Sequence, residues 1–216
     1  MVQKKSPHAM QIVHEKSEYI DWVNLKTGKV LGRITKKFAH DFGLSHRAAH
    51  LFVFDAKNNL VLQKRGKWMV LQPGRWDTSA GGHVSAGESI ERAAEREAWE
   101  EIHARGKIHR LGNVTIHDVR KTYDNVEGVT FFWMKSVTPL RSQKSEVEKL
   151  IHLPLEKVDD FLKKNECTPW MKAAWKKYSP KILRAGVLVK KKAVRTKTVG
   201  KKSARAKNSR SKRGKR

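Results

Sequence analysis

The chain has 216 residues, and its 47 Lys and Arg against 21 Asp and Glu give a formal net charge of +26. That length can bury one good core and a small extension, which excludes two full domains. No apolar run approaches the ~18 residues needed to span a bilayer, and the opening Met-Val-Gln-Lys-Lys-Ser-Pro lacks the apolar stretch of a signal peptide, so no membrane role is expected. Cys167 is the only cysteine, which rules out an internal disulfide and a thiolate metal cluster and fits a reducing compartment. The expected setting is cytoplasmic, or nuclear for a eukaryotic source.

In chain order, residues 1–18 are expected to be a flexible N-terminus and residues 19–185 one domain. Tyr19 to Val23 and Val30 to Ile34 flank Lys26-Thr27-Gly28-Lys29, the pattern of a hairpin, and Lys36 to Phe42 follows as a short helix. Ala49 to Phe54 and Leu60 to Gln63 flank Lys57-Asn58-Asn59 as a second hairpin. A main helix is predicted from Ser89 to about Arg105, with Ile90, Ala94, Ala98 and Ile102 on its buried stripe. Val114 to Val119 and Val129 to Val137 read as strands, and Leu155 to Lys164 and Pro169 to Tyr178 as helices broken at Cys167-Thr168-Pro169. Helices on both sides of a mixed sheet make this an α/β fold, an α/β/α sandwich with an N-terminal hairpin extension. Beyond it, residues 186–216 hold a like-charged block. Lys190 to Arg216 carry fourteen Lys or Arg and no acid, which supplies +14 of the total and leaves +12 elsewhere. Such a block is expected to be disordered, either a solubilising tail or a sequence-independent arm for nucleic-acid phosphates.

Chemistry concentrates between Gly81 and Ala104. A glycine-rich turn leads into the main helix, where Glu97 and Glu101 stand one turn apart and Glu100 lies three residues after Glu97. Three neighbouring carboxylates repel, and an all-oxygen set of this kind suits a hard divalent cation such as Mg²⁺ or Mn²⁺. Gly81 and Gly82, without a Cβ, let backbone come close to such an ion. The same Glu-x-x-Glu-Glu pattern also occurs on solvated helix faces, so it carries weight only within its longer context.

That context resembles the Nudix box: Gly82, Glu88, Arg96, Glu97, Ala98, Glu100 and Glu101 match in register, and Ala104 fills the last small position. His103 stands where the family has its closing glycine, so the helix is expected to run about one turn longer and to stop at Gly106. The resemblance covers about Tyr19 to Trp170. Through Ser45-His46-Arg47-Ala48-Ala49-His50, Leu62-Gln63-Lys64-Arg65, Pro73-Gly74-Arg75-Trp76-Asp77 and Gly82-His83-Val84 it is similar to the Nudix branch that includes type I isopentenyl diphosphate isomerase. It implies the Nudix sandwich and cleavage of a phosphoanhydride bond in a small diphosphate substrate, with metal on Glu97, Glu100, Glu101 and the Gly81 carbonyl.

A later acid serves the family as base or extra ligand, and Glu127, Glu146 and Glu148 are the candidates. Glu88 and Arg96 are assigned, with Gly82, to holding the turn against the helix. Arg65, Lys67 and Arg75 are candidates for substrate phosphate. The isomerase comparison implies a second metal site on His40, His46 and His83 with acid near Glu127, while the isomerase cysteine is replaced here by Gly81, which argues against isomerisation. Plain alternatives stand beside these: His40, His46, His50 and His83 as structural histidines, the basic trio as solvated surface, and Trp68, Trp76, Trp99 and Trp133 as packing, with Trp68 in a loop where a base or prenyl chain could rest. A non-catalytic nucleotide- or RNA-binding module is the reading from a different class.

Overall fold

Strand β3 (His46–Phe54) organises the molecule, because eight of its nine residues are buried and it is paired on both sides. A strand covered on both faces reads as a continuous apolar run, and Ala48 to Phe54 is one, broken only by His50. The computed structural model describes residues 18–119 and 123–185; the expectations for the N-terminus and for the basic tail fall outside the described residues.

On one flank β3 runs parallel to β8 (Asp124–Lys135), with His46 opposite Glu127. On the other it is antiparallel to β4 (Leu60–Arg65) near the connecting turn and to β6 (Ala80–His83) farther back. The sheet order is β5-β4-β3-β8-β7, where β5 is Trp76–Asp77 and β7 is Ile108–Val119; β9 (Val147–Leu153) pairs with β4. One parallel pair among antiparallel ones makes the sheet mixed.

Alternation along β3 then divides the core in two. Ala49, Leu51 and Val53 meet Ala93, Ala94, Ala98 and Ile102 of helix α2 (Ile90–Ile102). Ala48, Phe52 and Phe54 face the other way, toward Val158 and Leu162 of α3 (Leu155–Lys164) and Trp170, Met171 and Trp175 of α4 (Pro169–Arg184). The result is the α/β/α sandwich expected from the sequence. A separate hairpin of β1 (Tyr19–Val23) and β2 (Val30–Thr35) leads into the short helix α1 (Lys36–Asp41), whose N-cap Thr35 accepts from the Phe38 amide. The hairpin is tied to the body by Val23 N–H to the Ser45 carbonyl and by Arg47 to Asp21.

Several boundaries differ from the sequence reading, among them the start of β3 at His46 and the span of β8 from Asp124 to Lys135. Helix α2 stops at Ile102, not near Arg105, because His103 itself takes the left-handed conformation (φ 55°) and the Ala104 amide closes back on the Ala98 carbonyl. Gly106 serves a close approach instead: a Cβ there would collide with the Lys135 carbonyl. Helix α4 continues through Pro180 to Arg184, held by the fully buried Ile182 and by Lys181 Nζ donating to the Leu111 carbonyl. Strand β7 begins six residues early and crosses a bulge at Arg110/Gly112, and β9 was not anticipated at all.

Candidate functional site

The N-terminal end of α2 is fixed before its carboxylates come into play. Ser89 caps the helix by accepting from the Arg92 amide, and Glu88 accepts from the Ser85 amide and from two nitrogens of Arg96, at 3.1 and 3.0 Å. Arg96 also donates to the His83 carbonyl, to Glu97 at 2.7 Å and to Glu100 at 3.0 Å. One guanidinium thus staples the turn to the helix and to β6. Its own pKa is raised; burial opposes the charge, but the Glu88 and Glu97 partners outweigh it.

Glu97 and Glu101 point inward and are buried, whereas the Glu100 side chain is 55% exposed and lies on the rim with Arg96. The three acids therefore do not converge equally. Glu101 accepts from the Gly81 amide at 2.9 Å and from Gln63 Nε2 at 3.0 Å, and among the described residues no Lys or Arg forms an ion pair with it. Burial, reinforced by the charges of Glu97 and Glu146, pushes the Glu101 carboxyl well above the usual carboxylate range. Glu97 is pushed up to about 7, by burial first and then by Glu100 and Glu146, against the pull of Arg96. Gly82 is required by this packing, since a Cβ there would run into the Glu97 carboxylate. Of these two buried acids Glu97 has Arg96 as its ionic partner, and Glu101 has none among the described residues.

The histidines form a second cluster beside the first. His40 of α1, His46 at the start of β3 and His83 at the end of β6 place one ring nitrogen each within 4.8 Å of the others. Glu127 of β8 closes the group, 3.3 Å from His83 Nε2 and 3.6 Å from His46 Nε2. Burial would raise Glu127, but the His46 and His83 contacts hold it well below the usual range. His83 is lowered by burial, and His40 is lowered to about 4 by burial and by repulsion from His83 and His46. His46 Nε2 and His40 Nδ1 are buried with no hydrogen-bond partner, which is unusual enough to require an explanation.

The three later acids are sorted by the fold. Glu127 faces the histidines, the charge of Glu146 is felt by both Glu97 and Glu101, and Glu148 pairs with Lys64 at 3.3 Å. The basic trio is dispersed: Arg65 turns inward to Asp77 and to the Leu71 carbonyl, Arg75 reaches the Cys167 carbonyl, and Lys67 is exposed. His50 is a structural neighbour, bonded to Thr78 Oγ1 at 2.9 Å, tilted against Phe131 and edge-on to Trp170. It also bears on position 81, where a Cβ would stand 2.6 Å from the imidazole. Trp76, Trp170 and Trp175 are buried packing residues, Trp133 is half-buried, and Trp68 and Trp99 are exposed. Two residues escaped the sequence reading. Gln63 was hidden at the end of an apolar run, where a polar side chain on a buried strand is the signal; Asn125, buried with Oδ1 unpartnered two residues before Glu127, gave none.

The NUDIX domain family matches residues 44–172. The chain is 36% identical over 89 residues to isopentenyl-diphosphate Delta-isomerase 2 of Photorhabdus laumondii, a stretch that covers 41% of this chain and 50% of that protein. With an uncharacterized Nudix hydrolase of Pseudomonas aeruginosa it shares 33% identity over 133 residues, 62% of this chain and 76% of the relative. It thus spans only half the length of the first relative and about three quarters of the second. Among solved structures, a Deinococcus radiodurans protein superposes with a TM-score of 0.59 at 19% identity, covering 74% of this chain and 99% of the other, a likeness of fold. Among the described residues no helix is long and apolar enough to cross a membrane.

Proposed function

The chain belongs to the NUDIX family, and from that premise we propose that it is a metal-dependent hydrolase that cuts the phosphoanhydride bond of a small diphosphate substrate of the nucleoside-diphosphate type. The observation that carries this reading is the pair Glu97 and Glu101, buried one turn apart on α2 with their carboxyls pushed up by burial. The donor set fits Mg²⁺ or Mn²⁺: carboxylate oxygens, with Gly82 leaving room for the Glu97 carboxylate and the Gly81 carbonyl as the further ligand that the family resemblance implies. Glu97 and Glu101 would hold the ion, with Glu100 reaching in from the rim. When bound, such an ion neutralises phosphate oxygens and makes water a competent nucleophile near neutral pH. Glu146, an exposed acid that pairs with no described Lys or Arg, would take the proton of the attacking water. Arg96 keeps Glu97 and the turn in register, and Lys67 is the member of the basic trio free to meet a substrate phosphate.

The second cluster supports a second cation on His40, His46, His83 and Glu127, which would partner the orphaned Nε2 of His46. It is also what keeps isopentenyl-diphosphate isomerisation as the alternative. Gly81 and His50 weigh against that alternative, because the position of the missing thiol is filled by the imidazole.

A panel of nucleoside and prenyl diphosphates with Mg²⁺ tests both. Release of monophosphate or phosphate from at least one substrate is expected, and no dimethylallyl isomer from isopentenyl diphosphate. On the substrate so found, Glu101→Gln and Glu97→Gln should each lower turnover ~10²-fold or more, the scale of losing one preorganised electrostatic element. Near-normal turnover in both variants would sink the assignment of the carboxylate pair.

A further inference from the structure

Glu146 lies in the connection between β8 and β9, on an exposed stretch that by itself has nothing to hold it against the carboxylate pair. The structure ties that stretch down from both sides. On the helix side, the Gln143 amide donates to the Glu101 carbonyl at 2.8 Å and the Arg141 amide to the Ile102 carbonyl at 3.0 Å. These bonds fix the start of the segment to the C-terminal end of α2. On the other side lies the loop that follows β4, where the Gly66 amide donates to the Glu146 carbonyl at 2.7 Å and the Trp68 indole N–H donates to the Ser145 carbonyl. The carbonyls of Ser145 and Glu146 are both occupied, so the peptide that carries Glu146 cannot turn without breaking one bond or the other.

The indole reaches Ser145 only because of what lies beneath it. Residue 66 is glycine, and a Cβ there would strike the six-membered ring of Trp68. The ring lies across that backbone with about half its surface open to solvent, so packing in the core does not account for it. The same loop bears Lys67 and returns through Arg75 to β5.

We propose that Trp68 is the positioning residue for Glu146: seated over Gly66, its indole N–H holds the Ser145–Glu146 peptide so that the Glu146 carboxylate stays beside Glu97 and Glu101. This rests on Glu146 being the acid that serves the carboxylate pair. The loop that presents Lys67 to substrate and the segment that presents the acid thereby move as one body.

Two measurements separate this inference from the reading beneath it. Hydrogen–deuterium exchange of the full chain reports the tie without reference to activity: in Trp68→Ala, and independently in Gly66→Ala, residues 143–147 should exchange about 10-fold faster, while the core strand β3 stays protected. Trp68→Phe, which keeps an aromatic ring over Gly66 but has no donor, should loosen the segment as well. Kinetics then report its purpose. On the diphosphate found by screening, Trp68→Ala should lower kcat about 10-fold or more with KM changed less than about threefold, as expected for a misplaced catalytic group. In a Glu146→Gln background the same change should cost nothing further, because the residue it positions is already disabled. Unchanged exchange at 143–147 overturns the tie, and fully additive losses in the double variant overturn its purpose. If Glu146→Gln alone keeps wild-type turnover, the role given to Glu146 fails, and with it the positioning claim, while the exchange result still stands for the tie.

Discussion

At Glu97 the carboxyl sits at about 7 in the fold against an ordinary value of 4.5, raised by burial and by Glu100 and Glu146 and lowered in part by Arg96. A group whose folded pKa lies above its unfolded one binds more protons when folded. Its contribution is therefore complete below about 4.5 and is lost as pH climbs through about 7. At about 1.4 kcal/mol per pKa unit the loss is at most about 3 kcal/mol, less whatever Arg96 and residual solvent return. In metal-free protein the melting temperature of the wild type should thus fall relative to Glu97→Gln between roughly pH 5 and pH 8. Saturating Mg²⁺ should remove most of that relative fall, since the ion opposes the same charge. Melting curves of wild type and variant that stay parallel across that range in chelator would mean that Glu97 ionises in the fold as freely as in solution. Gly82 belongs to the same account: it is the absence of a side chain there that lets Glu97 lie buried at all.

At the scale of the element, the C-terminal end of α2 makes a sharper point. A residue with a Cβ in the left-handed region costs about 1 kcal/mol, and His103 occupies it at φ 55°. The surroundings hold it there, through Thr138 Oγ1 donating to the His103 carbonyl at 2.7 Å and His103 Nδ1 against the Arg141 carbonyl at 3.2 Å. Because the first of these is accepted by the backbone carbonyl of residue 103 and survives substitution of its side chain, His103→Gly should stabilise the domain by about 0.5–1 kcal/mol, or a few degrees in melting temperature. A fall in melting temperature would show instead that the imidazole's contacts with Trp99 and Arg141 outweigh the strain.

The same helix shows what could be read beforehand. Its start, its buried alanine stripe and the spacing of its acids are local properties of consecutive residues, and they came through; its end depends on Thr138 and Arg141, more than thirty residues away, and did not. β9 was missed for a like reason. Its burial follows no clean alternation and its pairing partner is the distant β4. Which of Glu127, Glu146 and Glu148 stands where could not be read from spacing either, because the parallel pairing of β3 with β8 sets Glu127 opposite His46 and the loop after β4 holds Glu146.

For the whole molecule the governing quantity is charge. The chain has a formal net charge of +26, and Lys190 to Arg216, outside the described residues, supply fourteen of the positive charges without one acid. Whatever conformation that segment takes, fourteen cations in twenty-seven residues must attract a polyanion, and no aromatic residue among them offers a base something to stack on. Contact with nucleic acid should then be weak, indifferent to sequence and steeply dependent on salt, with each neutralised phosphate adding roughly 0.7–0.9 to the slope of log affinity on log salt. Truncation after Val189 is expected to abolish retention of RNA at low salt and to flatten that slope. Turnover on a small diphosphate should stay within about twofold of the full chain, because all of the carboxylate and histidine ligands lie before residue 147. Equal retention by both forms would move the contact to the folded domain, and a lower melting temperature after truncation would show that the segment packs against that domain and does more than carry charge.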